Sequence, residues 1–362
     1  MSIKIKKKNP LLSFTVILLP FALLFGLIGI IRNALYDTKV IRPVRFSVPT
    51  IGIGNLVVGG TGKSPHIEYL VKLLSPYIDV ASLSRGYGRK TTGNREVLQN
   101  STSEEVGDEA LVLKMKYPDL GVFVGAQRAL AIPEVMQKRP DTNLILLDDI
   151  FQHRSVVPFE NILLTEYDLP FYNDFLLPVG ALREISNGSK RADTIIVTKC
   201  PPSISQEQEE MMINKIKPLP HQKVFFSAFN YGHPYRLFNP NQRVALTDKL
   251  DVVLFSAIAG TDYLMNYLKT KAGTIHSFEY PDHHFFTSQE MGTLKQTFDD
   301  LKADQKIILT TEKDAVRLAL HRKYIVDSQL PIFILPAEVT FIGSNGKEFD
   351  GHIKSRLMEF KV

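Results

Sequence analysis

The chain has 362 residues, 44% hydrophobic and 22% charged, a balance that supplies a globular core and excludes a disordered protein. Its one cysteine, Cys200, excludes an internal disulfide and a cysteine-rich metal site, and fits a reducing compartment. A net charge of +5 points to an anionic partner. With no zinc-ligand spacing and no aromatic RNA-binding signature, that partner is a phospholipid surface or a phosphorylated substrate rather than nucleic acid.

The N-terminus reads Lys4-Ile-Lys-Lys-Lys8, then runs from Leu11 to Ile31 without a charge, with Pro20 and Gly26 inside. Arg32, Lys39, Arg42 and Arg45 follow, so both flanks carry the cationic signature of a cytoplasmic face. No small-residue cleavage site follows, which argues against a removed signal peptide. The expectation is a membrane-associated helix over residues 1–36 that dips into one leaflet without crossing. A true span and a buried helix of a soluble protein are the alternatives.

The next stretch organises the chain. An extended apolar run from Phe46 to Ile53 enters a loop with Gly59, Gly60, Thr61 and Gly62, followed by Lys63, Ser64 and Pro65. A helical pattern then places Ile67, Leu70, Val71 and Leu74 on one face. Strand, glycine loop and helix together cradle phosphate, because N–H groups freed of Cβ crowding converge on its oxygens and the helix start is positive. Lys63 then reaches the β- and γ-phosphates and Ser64 takes Mg²⁺. The strict pattern wants a further glycine where Val57 stands.

Downstream, Asp79 to Leu83 reads as a strand that ends in Ser84-Arg-Gly-Tyr-Gly-Arg89, a basic loop where open α/β sheets bind ligands. Asp108 and Glu109 open an amphipathic helix. Gly121 to Gly125 is another strand, followed by a helix carrying Arg128. Asn143-Leu-Ile-Leu-Leu-Asp-Asp149 ends a hydrophobic strand in acid, placing Asp148 and Asp149 beside the phosphate loop as metal-binding candidates. Strands continue at Asn161 to Leu164 and Thr194 to Thr198. Between them, Leu177 to Glu184 reads as loop to helix with an exposed Arg183-Glu184 pair. The alternation predicts a mainly parallel sheet covered on both faces, within a domain over 37–220.

Proline-rich stretches at Cys200-Pro-Pro202 and Lys217-Pro-Leu-Pro220 precede an alternating segment, Lys223 to Arg236, read as a β-ribbon hinge over 221–245. A smaller α/β unit over 246–362 restarts with Leu250 to Gly260. Its strands continue at Thr274 to Phe278, Gln305 to Thr310 and Ile332 to Leu335. Two of its strands end in polar loops, Tyr280-Pro-Asp-His-His-Phe-Phe286 and Thr310-Thr-Glu-Lys-Asp314. His283 and His284 are adjacent, so in an extended segment they face opposite ways.

Together these motifs resemble the tetraacyldisaccharide 4′-kinase family, the membrane-bound lipid A 4′-kinases of Gram-negative bacteria. The resemblance runs through Arg32-Asn-Ala-Leu-Tyr36, Gly54-Asn55, Gly59 to Pro65, Ser84 to Arg89 and Val106-Gly-Asp-Glu109. It continues through Asp148-Asp149, Phe151-Gln-His153, Leu182-Arg-Glu184, Pro281-Asp-His283 and Thr311-Glu-Lys-Asp314. The family tolerates Val57 but carries glycine where this chain has Ile150. The resemblance implies two α/β/α domains joined by a β-ribbon, with ATP and Mg²⁺ between them, on the cytoplasmic face of the inner membrane. It implies an Asp108–His283 pair, one residue from each domain, with Asp108 as base for a sugar hydroxyl. Lys63 would meet the γ-phosphate, and Ser64, Glu109, Asp148 and Asp149 are metal candidates. Arg85, Arg89, Arg128, Arg183 and Glu184 are substrate candidates. The acceptor would be a lipid held in the leaflet beside membrane phospholipid, and no protein partner is implied. A nucleotide-switch ATPase typically carries lysine where Val58 stands, and a soluble small-metabolite kinase leaves Leu11 to Ile31 unexplained.

Overall fold

The structure, a computed structural model, describes residues 12–361. Lys4 to Lys8 and Leu11 lie outside the described residues. Helix α1 spans Leu12–Asp37 and keeps Phe21, Leu23, Leu24, Leu27, Ile28 and Ile31 exposed. At 1.5 Å per residue it is roughly 39 Å long, enough to cross a bilayer core or to lie along one.

The first sheet begins with Thr50–Asn55 (β1), Val80–Ser84 (β2), Arg95–Glu96 (β3), Gly121–Val124 (β4) and Leu144–Asp148 (β5). It continues with Glu160–Glu166 (β6), Thr194–Thr198 (β7) and Lys223–Tyr231 (β8). Lys63–Leu74 (α2), Ser103–Val106 (α3), Asp108–Lys116 (α4), Arg128–Lys138 (α5) and Gln206–Ile216 (α6) connect these strands. The second sheet takes Tyr235–Arg236 (β9), Asn239–Arg243 (β10), Asp251–Ser256 (β11), Ile275–Glu279 (β12), Lys306–Thr311 (β13) and Ile332–Leu335 (β14). Its helices are Asp262–Leu268 (α7), Ser288–Asp300 (α8), Glu312–Leu318 (α9) and Arg322–Asp327 (α10). The chain then ends with Ala337–Phe341 (β15) and Asn345–Met358 (α11).

The first sheet has the order β15-β8-β7-β6-β1-β5-β2-β4-β3, parallel except for its edge strands β15 and β3. All six residues of β1 are buried, as a central parallel strand covered on both faces requires. Its neighbour β5 pairs in a register that sets Ile53 opposite Asp148, so the acid-tipped strand ends beside the phosphate loop. Ile150 packs where a Cβ on Gly52 would lie 2.5 Å from its Cγ2. Ile150 is not among the residues with left-handed backbone; the residue before it, Asp149, carries the positive φ of 49°. The family's usual glycine is therefore dispensable at Ile150.

Helix α2 buries Ile67, Leu70, Val71 and Leu74, the face its spacing predicts, together with His66 and Glu68. The second sheet runs β10-β9-β14-β13-β11-β12, with β11 to β14 parallel.

The expected boundary at 246–362 needs correction. β15 leaves the second unit at Pro336 and pairs antiparallel with β8 in the first sheet. Phe341, Phe349 and Ile353 then join the core that holds Ile67 and Leu70. Burial of each such side chain contributes about 1.5–3 kcal/mol, so the C-terminal segment is fastened to the first unit. The connection between the units is thus double. It passes once after β8 and once at Pro336, where Gly232 N–H donates to Pro336 O at 3.1 Å. Within the expected hinge over 221–245, β8 pairs with a strand more than a hundred residues away in sequence, while β9 and β10 pair antiparallel with each other.

Candidate active site

The phosphate loop is held from several sides. Asn55 Nδ2 donates to Thr61 Oγ1 at 2.9 Å, and Thr198 Oγ1 donates to Thr61 O at 2.9 Å. Gly62 has φ 91°, and a Cβ there would lie 2.7 Å from Phe229 of β8, so only glycine fits that turn. His66 Nδ1–H donates to Gly62 O at 2.7 Å while Nε2 accepts from Ser227 at 3.1 Å. Burial drives its pKa down to about 4, which keeps the ring neutral and able to make both bonds. From the second unit, Ala259 O comes within 2.9 Å of where a Cβ on Gly60 would stand, so the two units meet at this loop.

Lys63 Nζ lies 3.5 Å from Asp149 Oδ1. Arg183 Nη1 donates to both oxygens of Asp149, at 3.1 and 2.9 Å. Burial opposes ionisation of Asp149, but these two cations hold its carboxyl below the usual range. Asp148 is in the opposite condition. Burial pushes its pKa up to about 6, partly offset by Lys63 and reinforced by Asp149. Its Oδ1 is buried without a hydrogen-bond partner.

Opposite, the start of α4 presents Asp108, which is 3% exposed. His283, from the loop after β12, places Nδ1 3.1 Å from Asp108 Oδ2. Lys313 of α9 lies 3.1 Å from His283 Nε2. An ammonium only donates, so Nε2 accepts and Nδ1 carries the proton given to Asp108. Arg317 of α9 donates to the same Oδ2 from Nε at 3.0 Å and Nη2 at 2.7 Å. Burial opposes ionisation of Asp108, yet the bonds from His283 and Arg317 and the charges of Arg317 and Lys313 hold its pKa low.

Asp108, Glu109 and His283 offer ligand atoms within 4.8 Å of one another. Lys313 Nζ already lies 2.9 Å from Glu109, however, and its charge disfavours a cation in that place. The hard-oxygen set of the Ser64 hydroxyl and Asp148, with its unpartnered buried oxygen, suits Mg²⁺ better.

A family model described as Tetraacyldisaccharide-1-P 4′-kinase matches residues 14–358. The chain belongs to the tetraacyldisaccharide-1-P 4′-kinase family. It is 38% identical over 355 residues to the tetraacyldisaccharide 4′-kinase of Bacteroides thetaiotaomicron, covering 94% of this chain and 93% of that protein. The Parabacteroides distasonis tetraacyldisaccharide 4′-kinase is 39% identical over 365 residues, covering 97% and 98%. The crystal structure of "apo" form LpxK from Aquifex aeolicus in complex with ATP matches with a TM-score of 0.71 at 26% identity. It covers 95% of this chain and 99% of that one. Membership in the family sets aside the switch-ATPase and small-metabolite-kinase alternatives.

Against this family frame, several sequence expectations change. Glu184 is not exposed: it is 2% accessible and accepts from Asn33 of α1 at 2.9 Å, Arg191 at 2.8 Å and Gln152 at 3.3 Å. Its oxygens are taken by the protein, so it is a strut and not a substrate ligand. The segment after it forms a short 3₁₀ turn, Ser186–Arg191, in place of the expected helix. Arg128 is wholly buried and donates to Gly125 O at 2.5 Å and Asp148 O at 2.9 Å, bracing the acidic strand end from inside. Glu109 is engaged by Lys313. Arg85 is exposed, and Arg89 is half-buried with Nη1 unpartnered.

Of the two histidines, His283 meets Asp108. His284 stacks on Tyr280 and pairs with Glu290 at 2.9 Å. Sequence reasoning missed Arg317, although Asp314 and Arg317 stand one helical turn apart, a spacing that signals an ion pair on α9.

Proposed function

We propose that this chain transfers the γ-phosphoryl group of ATP to the 4′-hydroxyl of a tetraacylated glucosamine disaccharide 1-phosphate, giving a 4′-phosphorylated lipid A precursor. The observation that carries the reading is Asp108 Oδ1, a buried carboxylate oxygen with no partner, on a carboxylate held ionised between the two units. A sugar hydroxyl is a poor nucleophile and needs such an acceptor for its proton.

In the reaction, the 4′-hydroxyl proton passes to Asp108 Oδ1 as the oxygen's lone pair forms the bond to the γ-phosphorus. The bond from that phosphorus to the bridging oxygen breaks, and its electron pair leaves on ADP. Loop N–H groups from Gly59 to Ser64 hold the phosphates, and Lys63 offsets charge on the γ-phosphate. Ser64 and Asp148 would hold Mg²⁺, and Asp149 orients Lys63, whose Nζ lies 3.5 Å from its Oδ1. Bound Mg²⁺ screens phosphate charge that would otherwise repel the nucleophile. Of the candidate arginines, Arg85 and Arg89 are those not bound to Asp148 or Asp149, which leaves them for the anionic substrate.

Helix α1 places this chemistry at headgroup depth. It lies in the cytoplasmic leaflet of the inner membrane without crossing, among phospholipids, while the acyl chains of the substrate stay in the same leaflet. Its docking through Asn33 to Glu184 ties that depth to Arg183 and Asp149.

The test is transfer of label from γ-labelled ATP by purified protein in detergent. The acceptors are the acylated disaccharide 1-phosphate, its deacylated form, or none. Label on the acylated sugar alone, lost in Lys63→Ala and Asp108→Asn, is the expected result. ATP hydrolysis with no labelled acceptor overturns the reading.

A further inference from the structure

We infer that Arg317 is a positioning residue for phosphoryl transfer: by occupying one oxygen of Asp108 from the opposite unit, it leaves the other, Oδ1, as the atom that takes the acceptor's proton. The inference rests on Asp108 being the base and adds how that base is aimed.

An arginine facing a carboxylate commonly spreads two N–H groups over its two oxygens. Here Nε and Nη2 of Arg317 converge on the same oxygen, Oδ2, at 3.0 and 2.7 Å. His283 Nδ1–H adds a third donor to that oxygen at 3.1 Å. Three donors saturate Oδ2, and Oδ1 is buried with none. A carboxylate rotating about its Cβ–Cγ bond would exchange the two oxygens; three donors on one of them oppose that exchange. The lone pairs of Oδ1 are thereby kept for a donor that the protein does not supply, which is what an acceptor hydroxyl brings.

Arg317 is itself held rigidly, at 1% exposure. Its Nη1 donates to Asp314 at 3.1 Å, to His284 O at 3.2 Å and to Ala257 O at 3.3 Å. Asp314 is in turn fixed by Thr311, Ser256 and the Ala257 N–H. The guanidinium is thus built into the end of β11 and the first turns of α9. It reaches Asp108 only when the two units are together, so assembling the cleft and aiming the base become one event.

The test compares Arg317→Met, Arg317→Lys, Asp108→Asn and the two double variants in the full chain, with kcat and the KM for ATP measured separately and melting followed for each. Arg317→Met should lower kcat on the order of 100-fold, as misplacement of a reacting group does, with KM for ATP unchanged. Arg317→Lys, which keeps the charge but not the fork, should recover part of it. In the Asp108→Asn background, either Arg317 change should alter kcat by less than about threefold, because the residue acts through Asp108. An equal fold-loss in both backgrounds overturns the inference and makes Arg317 a fold strut, while the base assignment stands. Wild-type kcat in Asp108→Asn overturns the base assignment and the inference with it. If Arg317→Met does not fold, Arg317→Lys and its double variant give the same comparison.

Discussion

Glu68 of the phosphate-loop helix meets Lys116 of α4 at 2.5 Å, and the same ammonium reaches Glu312 of α9 at 2.9 Å. Two carboxylates thus share one cation at the junction of the two units. Burial, only partly offset by Lys116 and reinforced by Glu312, pushes Glu68 up to about pKa 7.

A carboxyl whose pKa is raised on folding binds more protons in the native state, so stability falls as pH rises from about 4.5 to 7. Glu68→Gln removes that dependence. We expect the variant to gain stability over the parent between pH 5 and pH 8, by about 3 kcal/mol at most. Urea unfolding of both proteins at the two pH values measures it, and parallel pH dependences would contradict the assignment.

Asp148 must lose its proton to hold Mg²⁺, and its pKa is raised to about 6. The Mg²⁺ concentration giving half-maximal activity should therefore be flat above pH 7 and rise about tenfold per pH unit below 6. Chelation should abolish transfer at every pH. A Mg²⁺ requirement that does not change between pH 5 and 8 would remove Asp148 from the metal site.

Loss of a general base costs roughly 10²–10⁴-fold, so Asp108→Asn should fall in that range in kcat. His283→Ala removes one of three donors to Oδ2 and should cost less, about 10-fold, whereas His284→Ala should leave kcat near the parent value. Steady-state kinetics on the three variants ranks them. An effect of His284→Ala exceeding that of His283→Ala would reverse the placement of the pair.

Glu184 joins α1 to the catalytic unit through Asn33, Arg191 and Gln152. Glu184→Ala leaves Arg191 without its carboxylate and should destabilise by about 3 kcal/mol. Residual activity of the folded fraction should fall less than in Arg183→Ala, which frees Asp149 directly. Thermal melts read together with single-turnover rates separate the two effects.

The chain itself determined the features written in local spacing. Apolar residues three and four apart marked α2, glycines before Lys63 marked the phosphate loop, and a hydrophobic run ending in acid marked β5. Each depends on neighbours within one strand or one helix turn, where backbone geometry dictates which side chains share a face. Composition and the charge-free run likewise marked α1.

Tertiary structure decided what is joined to what. Alternation identifies a strand but not its partner, so nothing near residue 337 announces that β15 returns to β8. Arg317 meets Asp108 across 209 positions of chain, and only packing of α9 against α4 brings them within 2.7 Å. The same holds for Glu184, polar by type yet buried because α1 folds back over it, and for His283 rather than His284. Burial and hydrogen-bond partners belong to the packed chain, and in this protein they turn a list of polar residues into a base, its donors and the struts that hold them.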